Sequence, residues 1–241
     1  MNTTQQPVAI VTGASSGIGL GVVQALLERG WRVVGTSHTI SSSKNLTPSP
    51  NLVLVDGDVG NRETAIKAVD AALKHFGRID LLVNNAGIFL PKEFTDYTEE
   101  DYKLVMNTNV AGFFYMTQQV IQQMKKQNSG HVVNISGASA DQPSSAERAL
   151  LAVSSKSTMP AASKALAMEY AANNIRFNTV SPGVVNTPMH ANGDPAELAK
   201  FHPLGRIGEV SDVVDAVLYL QNATFVTGEN IRVDGGVHAG R

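Results

Sequence analysis

The sequence predicts an α/β domain built on one doubly wound, seven-stranded parallel sheet with helices on both faces. Seven short apolar runs alternate with amphipathic segments along the chain, and such alternation builds parallel sheets through right-handed crossovers. The runs are apolar at nearly every position, as strands covered on both faces are. A glycine-rich loop follows the first run directly and opens the first helical segment, where a sheet of this kind takes its ligands.

The elements follow in order. "VAIVTG" (8–13) is the first strand and Ile18–Arg29 the first helix. "RVVGT" (32–36) is the second strand, and the Ser/Pro-rich "TISSSKNLTPSPN" (39–51) after it reads as a surface loop. "LVLVD" (52–56) is the third strand, followed by a helix over Arg62–Phe76. "IDLLVNN" (79–85) is the fourth, and Glu99–Gln127 has the period of one long helix. "HVVNIS" (131–136) precedes a helix through Lys156–Ala172, and "IRFNTVS" (175–181) precedes one over Val210–Leu220. "NIRVDGG" (230–236) closes the sheet. The segment 188–205 falls outside this alternation and is expected to cap the substrate pocket. With no long linker and no repeat, residues 1–241 are expected to form a single Rossmann-type domain. A chain of that length buries about three quarters of its unfolded surface without staples.

Composition narrows the function classes. A hydrophobic fraction of 43% with 17% charged residues describes a soluble globular protein. A formal charge of −2 gives no electrostatic grip on nucleic acid or on an anionic membrane. There is no cysteine, hence no disulfide, thiolate metal site or thiol nucleophile. No apolar run reaches the ~18 residues of a membrane span, and the N-terminus lacks the basic start of a signal peptide. The expected setting is cytoplasmic, with a small-molecule substrate and no metal.

The motifs lie at the carboxyl ends of the strands. In "TGASSGIG" (12–19), Gly13, Gly17 and Gly19 allow a tight turn and close approach to a pyrophosphate, whose charge meets the helix N-terminus. "DV" (58–59), "NNAG" (84–87) and "SPGVVNTPM" (181–189) end the third, fourth and sixth strands. With "PLGRIGEVSDVVDAVLYL" and "VTGENIRVDGG", these stretches resemble the classical short-chain dehydrogenase/reductases over essentially the whole chain. The resemblance implies a nicotinamide dinucleotide. It places Gly13, Ser15, Ser16, Gly17, Ile18 and Gly19 at the pyrophosphate and Asp58 and Val59 at the adenine. Asn85, Ala86 and Gly87 then line the ribose and ring path, and Pro182, Gly183, Val185 and Thr187 cup the nicotinamide. At the end of the second strand a carboxylate would bond the adenosine 2′-hydroxyl and repel a 2′-phosphate. This chain has Ser37 and His38 there, which favours NADP(H) over NAD(H), although no arginine stands ready to grip a phosphate.

The family's catalytic set is Asn–Ser–Tyr–Lys, the last two spaced Tyr-x-x-x-Lys. Asn109 in "NTNVAGFF" matches the Asn; by residue type alone it is a helix-interior polar group that kinks the chain. Two lysines compete for the last place. Lys164 stands 11 residues before Ile175 and puts Pro160 at the Tyr position; Lys156 stands 19 before it and aligns helix and strand without a gap. Lys156 is therefore the match, and Ala152 occupies the Tyr position. In "NISGASAD" Gly137 falls where the second serine is usual, and Ser139, 13 residues before Ala152, is preferred to Ser136. The missing proton donor could be Lys156, a water held by Asn109 and Ser139, Asp141 or Glu147, or His190 or His202 from the cap. Tyr170, at the far end of the helix, reads as packing or surface.

Two readings stay open: an oxidoreductase moving hydride between nicotinamide and a carbonyl or alcohol through an altered proton relay, or a weak or inactive dinucleotide-binding sensor or partner subunit. A homotetramer or homodimer is expected from the apolar "FFYMTQQVIQQM" and from the two helices the family uses for assembly.

Overall fold

The computed structural model describes residues 6–143 and 148–240. Its strands are β1 (Val8–Thr12), β2 (Arg32–Ser37), β3 (Leu52–Asp56), β4 (Leu81–Asn84), β5 (Gly130–Ile135), β6 (Ile175–Pro182) and β7 (Asn230–Val233). They form one sheet in the order β3-β2-β1-β4-β5-β6-β7, and every neighbouring pair is parallel. The order reverses between β1 and β4, which opens a crevice at their carboxyl ends.

The helices are α1 (Gly17–Glu28), α2 (Arg62–Phe76), α3 (Glu99–Met106), α4 (Gly112–Gln127), α5 (Leu150–Tyr170), α6 (Pro195–Ala199) and α7 (Val210–Asn222). One core cluster joins α1 and α7 to the sheet through Val23, Leu26, Val213 and Val217; the other joins α2, α4 and α5 through Ala68, Met116, Met124 and Ala167. Strand β1 shows why its sequence does not alternate. Ala9 and Val11 belong to the first cluster, Val8 and Ile10 to the second, and all four are fully buried.

Three elements differ from expectation. The long helix is broken into α3 and α4 by a π-turn over Asn107–Ala111, where Asn109 is drawn into contacts described below. Helix α5 starts at Leu150 and runs on through Pro160. Proline has no N–H, so the carbonyl four residues earlier, that of Lys156, loses its helical donor; the Ser136 hydroxyl donates to it instead at 2.9 Å. The 39–51 segment is not wholly a surface loop, because Ile40 and Leu46 are buried in the first cluster.

At the amino-terminal end of the sheet a polar knot fastens α7. The Arg176 guanidinium donates to the carbonyls of Leu220, Gln221, Ala223 and Val226. Beside it, His131 is buried between Gln221 Oε1 (2.9 Å) and Asn178 Nδ2 (3.0 Å). Its Nε2 accepts from the second, which requires a neutral ring, and its Nδ1 also lies 3.1 Å from Arg176 Nη2. Burial, and then the adjacent Arg176 charge, push its pKa down to about 3.

Candidate active site

A cleft of about 1020 Å³ opens along the carboxyl ends of the central strands, large enough for an extended ligand. Its first wall is the loop after β1: Gly13, Ser15, Ser16, Gly17 and Ile18. Gly13 and Gly17 have φ of +64° and +53°, a region that glycine enters at little cost. Gly19 is not in the lining; a Cβ there would lie 2.3 Å from the Gly13 carbonyl oxygen, so it serves the packing of loop against helix. The N-cap Ser16 makes no side-chain cap, and the first turn of α1 holds no acidic residue. The orphan N–H groups at this helix start therefore suit the charge of a pyrophosphate.

The cleft continues past Ser37 and His38, with Ser15 Oγ and Ser37 Oγ 3.0 Å apart. Asp56 is the β3 partner of Ser37, yet its carboxylate is taken up by the Ser41 hydroxyl and N–H. Those bonds hold its pKa below the usual carboxylate range. Val59 lines the cleft, whereas Asp58 turns to accept from the Gly60 N–H at 2.8 Å. At the switch point Thr12 Oγ1 accepts from the N–H of Asn85 and of Ala86, and Asn85 Nδ2 returns a bond to the Thr12 carbonyl. Pro182, Gly183, Val185 and Thr187 form the facing wall.

Lys156 and Asn109 meet at Gly87. A Cβ on Gly87 would lie 2.9 Å from Lys156 Nζ and 3.2 Å from Asn109 Oδ1, so only glycine leaves both in place. The ammonium donates to the Ile135 carbonyl at 3.1 Å, and burial pulls its pKa from 10.5 to about 8. Asn109 spends its whole side chain on neighbours. Oδ1 accepts from the Ile88 N–H (2.8 Å), and Nδ2 donates to the Ile88 carbonyl (3.1 Å) and to Ser155 Oγ (2.9 Å). Its side chain thus clamps the loop after β4 against α5 and has no donor left for water. Ser139 lies on the short turn Ala138–Ala140 after β5 and lines the cleft together with Ala152 and Lys156.

Residues 13–238 match the family model described as Enoyl-(Acyl carrier protein) reductase. The chain is a short-chain dehydrogenase/reductase. A 3-oxoacyl-[acyl-carrier-protein] reductase FabG of Buchnera aphidicola is 31% identical over 246 residues, 99% of each chain. The crystal structure of 3-ketoacyl-(acyl-carrier-protein) reductase from Brucella melitensis, complexed with NADH, has a TM-score of 0.90 at 27% identity and covers 96% of this chain and 98% of its own. ElxO with NADP bound gives 0.86 at 27% identity over the same shares. This short-chain dehydrogenase/reductase is thus a member of a family of NAD(P)-dependent oxidoreductases.

Within it, the groups named as proton sources sort themselves by their contacts. Asp141 Oδ2 accepts from Asn230 Nδ2 and from Arg232 Nε, each at 3.0 Å, which ties its loop to β7. Glu147 lies outside the described residues. His202 is buried, and its Nε2 accepts from the Val184 N–H at 2.9 Å. Burial first of all lowers its pKa, which keeps the ring neutral as a pin between cap and strand. His190 is half-buried and lines the cleft. Among the described residues no tyrosine lines the cleft; Tyr170 packs against Phe177, ring centroids 6.0 Å apart. Three participants were not singled out from sequence: Phe89 lines the cleft, Ser155 receives the Asn109 amide, and the Ile135 carbonyl holds Lys156. Ser136, set behind Ser139 on sequence, lines the cleft as Ser139 does. A serine directly before the lysine was a usable signal; a main-chain acceptor leaves none.

Proposed function

We propose that this protein is an NADP(H)-dependent oxidoreductase that moves hydride between the nicotinamide and a carbonyl or alcohol, with a proton relay altered by Ala152 at the family's tyrosine position. The observation that carries this reading is the meeting of Lys156 and Asn109 at Gly87, in the same cleft as the glycine loop. When bound, the dinucleotide supplies or accepts the hydride. Gly13, Ser15, Ser16, Gly17 and Ile18 hold its pyrophosphate, with Gly19 supporting the loop from behind. Asp58 and Val59 border the adenine, Asn85, Ala86 and Gly87 the ribose path, and Pro182, Gly183, Val185 and Thr187 the nicotinamide. Lys156 anchors the nicotinamide ribose and Ser139 orients the carbonyl, while Asn109 fixes the loop on which both depend. NADP(H) is favoured because Ser37 and His38 end β2 without a carboxylate, and the neighbouring Asp56 is engaged by Ser41.

Titration with NADPH and NADH, followed by turnover on a carbonyl panel, tests the reading. The panel begins with 3-oxoacyl thioesters, because the Buchnera relative is named for that substrate. Tighter binding of NADPH and wild-type turnover are expected. Binding without turnover, restored by Ala152→Tyr, would instead make the protein a dinucleotide-binding sensor or partner subunit, a reading that the cleft without tyrosine favours. Assembly of a homotetramer or homodimer in the cytoplasm belongs to the same proposal: Leu104 and Phe114 near the π-turn and Met168 on α5 are exposed. A monomeric mass in solution would refute the assembly.

A further inference from the structure

We infer that His190 supplies the proton that the family's tyrosine would otherwise give, acting through Nε2 from the wall of the cleft. The inference rests on the functional reading above. His190 ends the short turn Pro188–His190 at the start of the cap and shares the cleft with Ala152, Lys156 and Ser139. Its Nδ1 lies 3.1 Å from the Val185 carbonyl oxygen. A carbonyl only accepts, so Nδ1 must carry a hydrogen in both the neutral and the charged ring. The proton that comes and goes is therefore the one on Nε2.

The surroundings hold the ring in this state. Val185 pairs with Gly208 in a short parallel bridge, and the Gly208 N–H donates to the Val184 carbonyl at 2.8 Å. The acceptor of Nδ1 is thus on fixed backbone. The Phe89 ring lies beside the imidazole, centroids 6.5 Å apart and planes tilted by 50°. The other titratable groups of the cleft are committed or remote in role. Lys156 is held by Ile135, His202 by Val184, and Glu197 pairs with Lys200 at 2.6 Å on the rim. His38 lies at the β2 end of the cleft.

In reduction, the carbonyl carbon takes hydride from the reduced nicotinamide and the oxygen takes the Nε2 proton of the His190 imidazolium. The products are the alcohol, the oxidised nicotinamide and a neutral imidazole still bonded through Nδ1; solvent restores the Nε2 proton. Oxidation runs the same steps backwards, with neutral Nε2 as the base. Loss of a positioned acid costs on the order of 10²–10⁴ in rate.

Two measurements test this. Nitrogen-15 histidine spectra of the cofactor-free protein should show neutral His190 as the Nδ1–H tautomer; an Nε2–H tautomer overturns the inference. In kinetics, His190→Gln should lower kcat for carbonyl reduction at least 100-fold with NADPH affinity unchanged. Adding Ala152→Tyr to His190→Gln should restore turnover. A wild-type rate in His190→Gln overturns the inference alone, because the oxidoreductase reading survives. A wild type that binds NADPH and turns over nothing overturns both, even with the expected tautomer.

Discussion

Replacing Lys156 by methionine should make the cofactor-free protein more stable while removing its activity. The fall in the lysine pKa from 10.5 to about 8 on burial makes the ammonium about 3 kcal/mol less favourable in the folded chain than in the unfolded one. Methionine keeps most of the stem without the charge, and gives up one hydrogen bond to the Ile135 carbonyl, worth about 1 kcal/mol. The net gain at pH 7 is about 2 kcal/mol. Its sign against pH follows from linkage. The folded pKa is depressed, so the penalty is complete below about 8 and shrinks as pH rises towards 10.5, where the unfolded chain holds the extra proton. Wild-type stability therefore rises across that window and the advantage of Lys156→Met disappears by pH 10. Urea unfolding followed by the fluorescence of Trp31, the single tryptophan, measures both proteins at pH 7 and pH 10. A variant less stable at pH 7, or an advantage equal at the two pH values, would refute the reasoning.

Two further outcomes follow from other sites. His131, with its pKa lowered from 6.5 to about 3, is neutral when folded and charged when unfolded below pH 6.5. Its stabilising contribution is complete above that value and declines with acid, by about 2 kcal/mol between pH 7 and pH 5; urea midpoints of wild type and His131→Asn should converge over that range, and parallel curves would contradict it. A Cβ on Gly19 meets the Gly13 carbonyl at 2.3 Å, so Gly19→Ala must displace the glycine loop. The melting temperature should drop, and NADPH affinity should fall at least about tenfold, or 1.4 kcal/mol; calorimetric titration showing unchanged affinity would count against the loop's role.

Much of this architecture was legible because parallel strands buried on both faces carry an unambiguous signal. Val8, Ala9, Ile10 and Val11 are fully buried, and no half-exposed strand could be so uniformly apolar. Counting from Ile175 assigned Lys156 rather than Lys164, and of these two Lys156 lines the cleft. What escaped the sequence was geometry carried by main chain or by tertiary contacts. The π-turn residues Asn107–Ala111 include no glycine or proline to signal a break, so Glu99–Gln127 read as unbroken. Asp58 and Asn109 match motif positions, but only structure shows their side chains already committed, to Gly60 and to Ile88 with Ser155. His202 and His190 are indistinguishable by composition and spacing; a Val184 N–H at one and a Val185 carbonyl at the other give them opposite proton roles.

The bond from Ser136 to the Lys156 carbonyl has a consequence for how this chain can change over time. Positions 136 and 160 share one hydrogen bond between them: a residue with an N–H at 160 makes the hydroxyl at 136 dispensable, and proline at 160 makes it necessary. Substitutions at the end of β5 and in the middle of α5 are therefore not free of each other. A lineage leaving this arrangement would have to exchange the proline before the serine, since the reverse order strands a carbonyl on the very residue that holds the ammonium in the cleft.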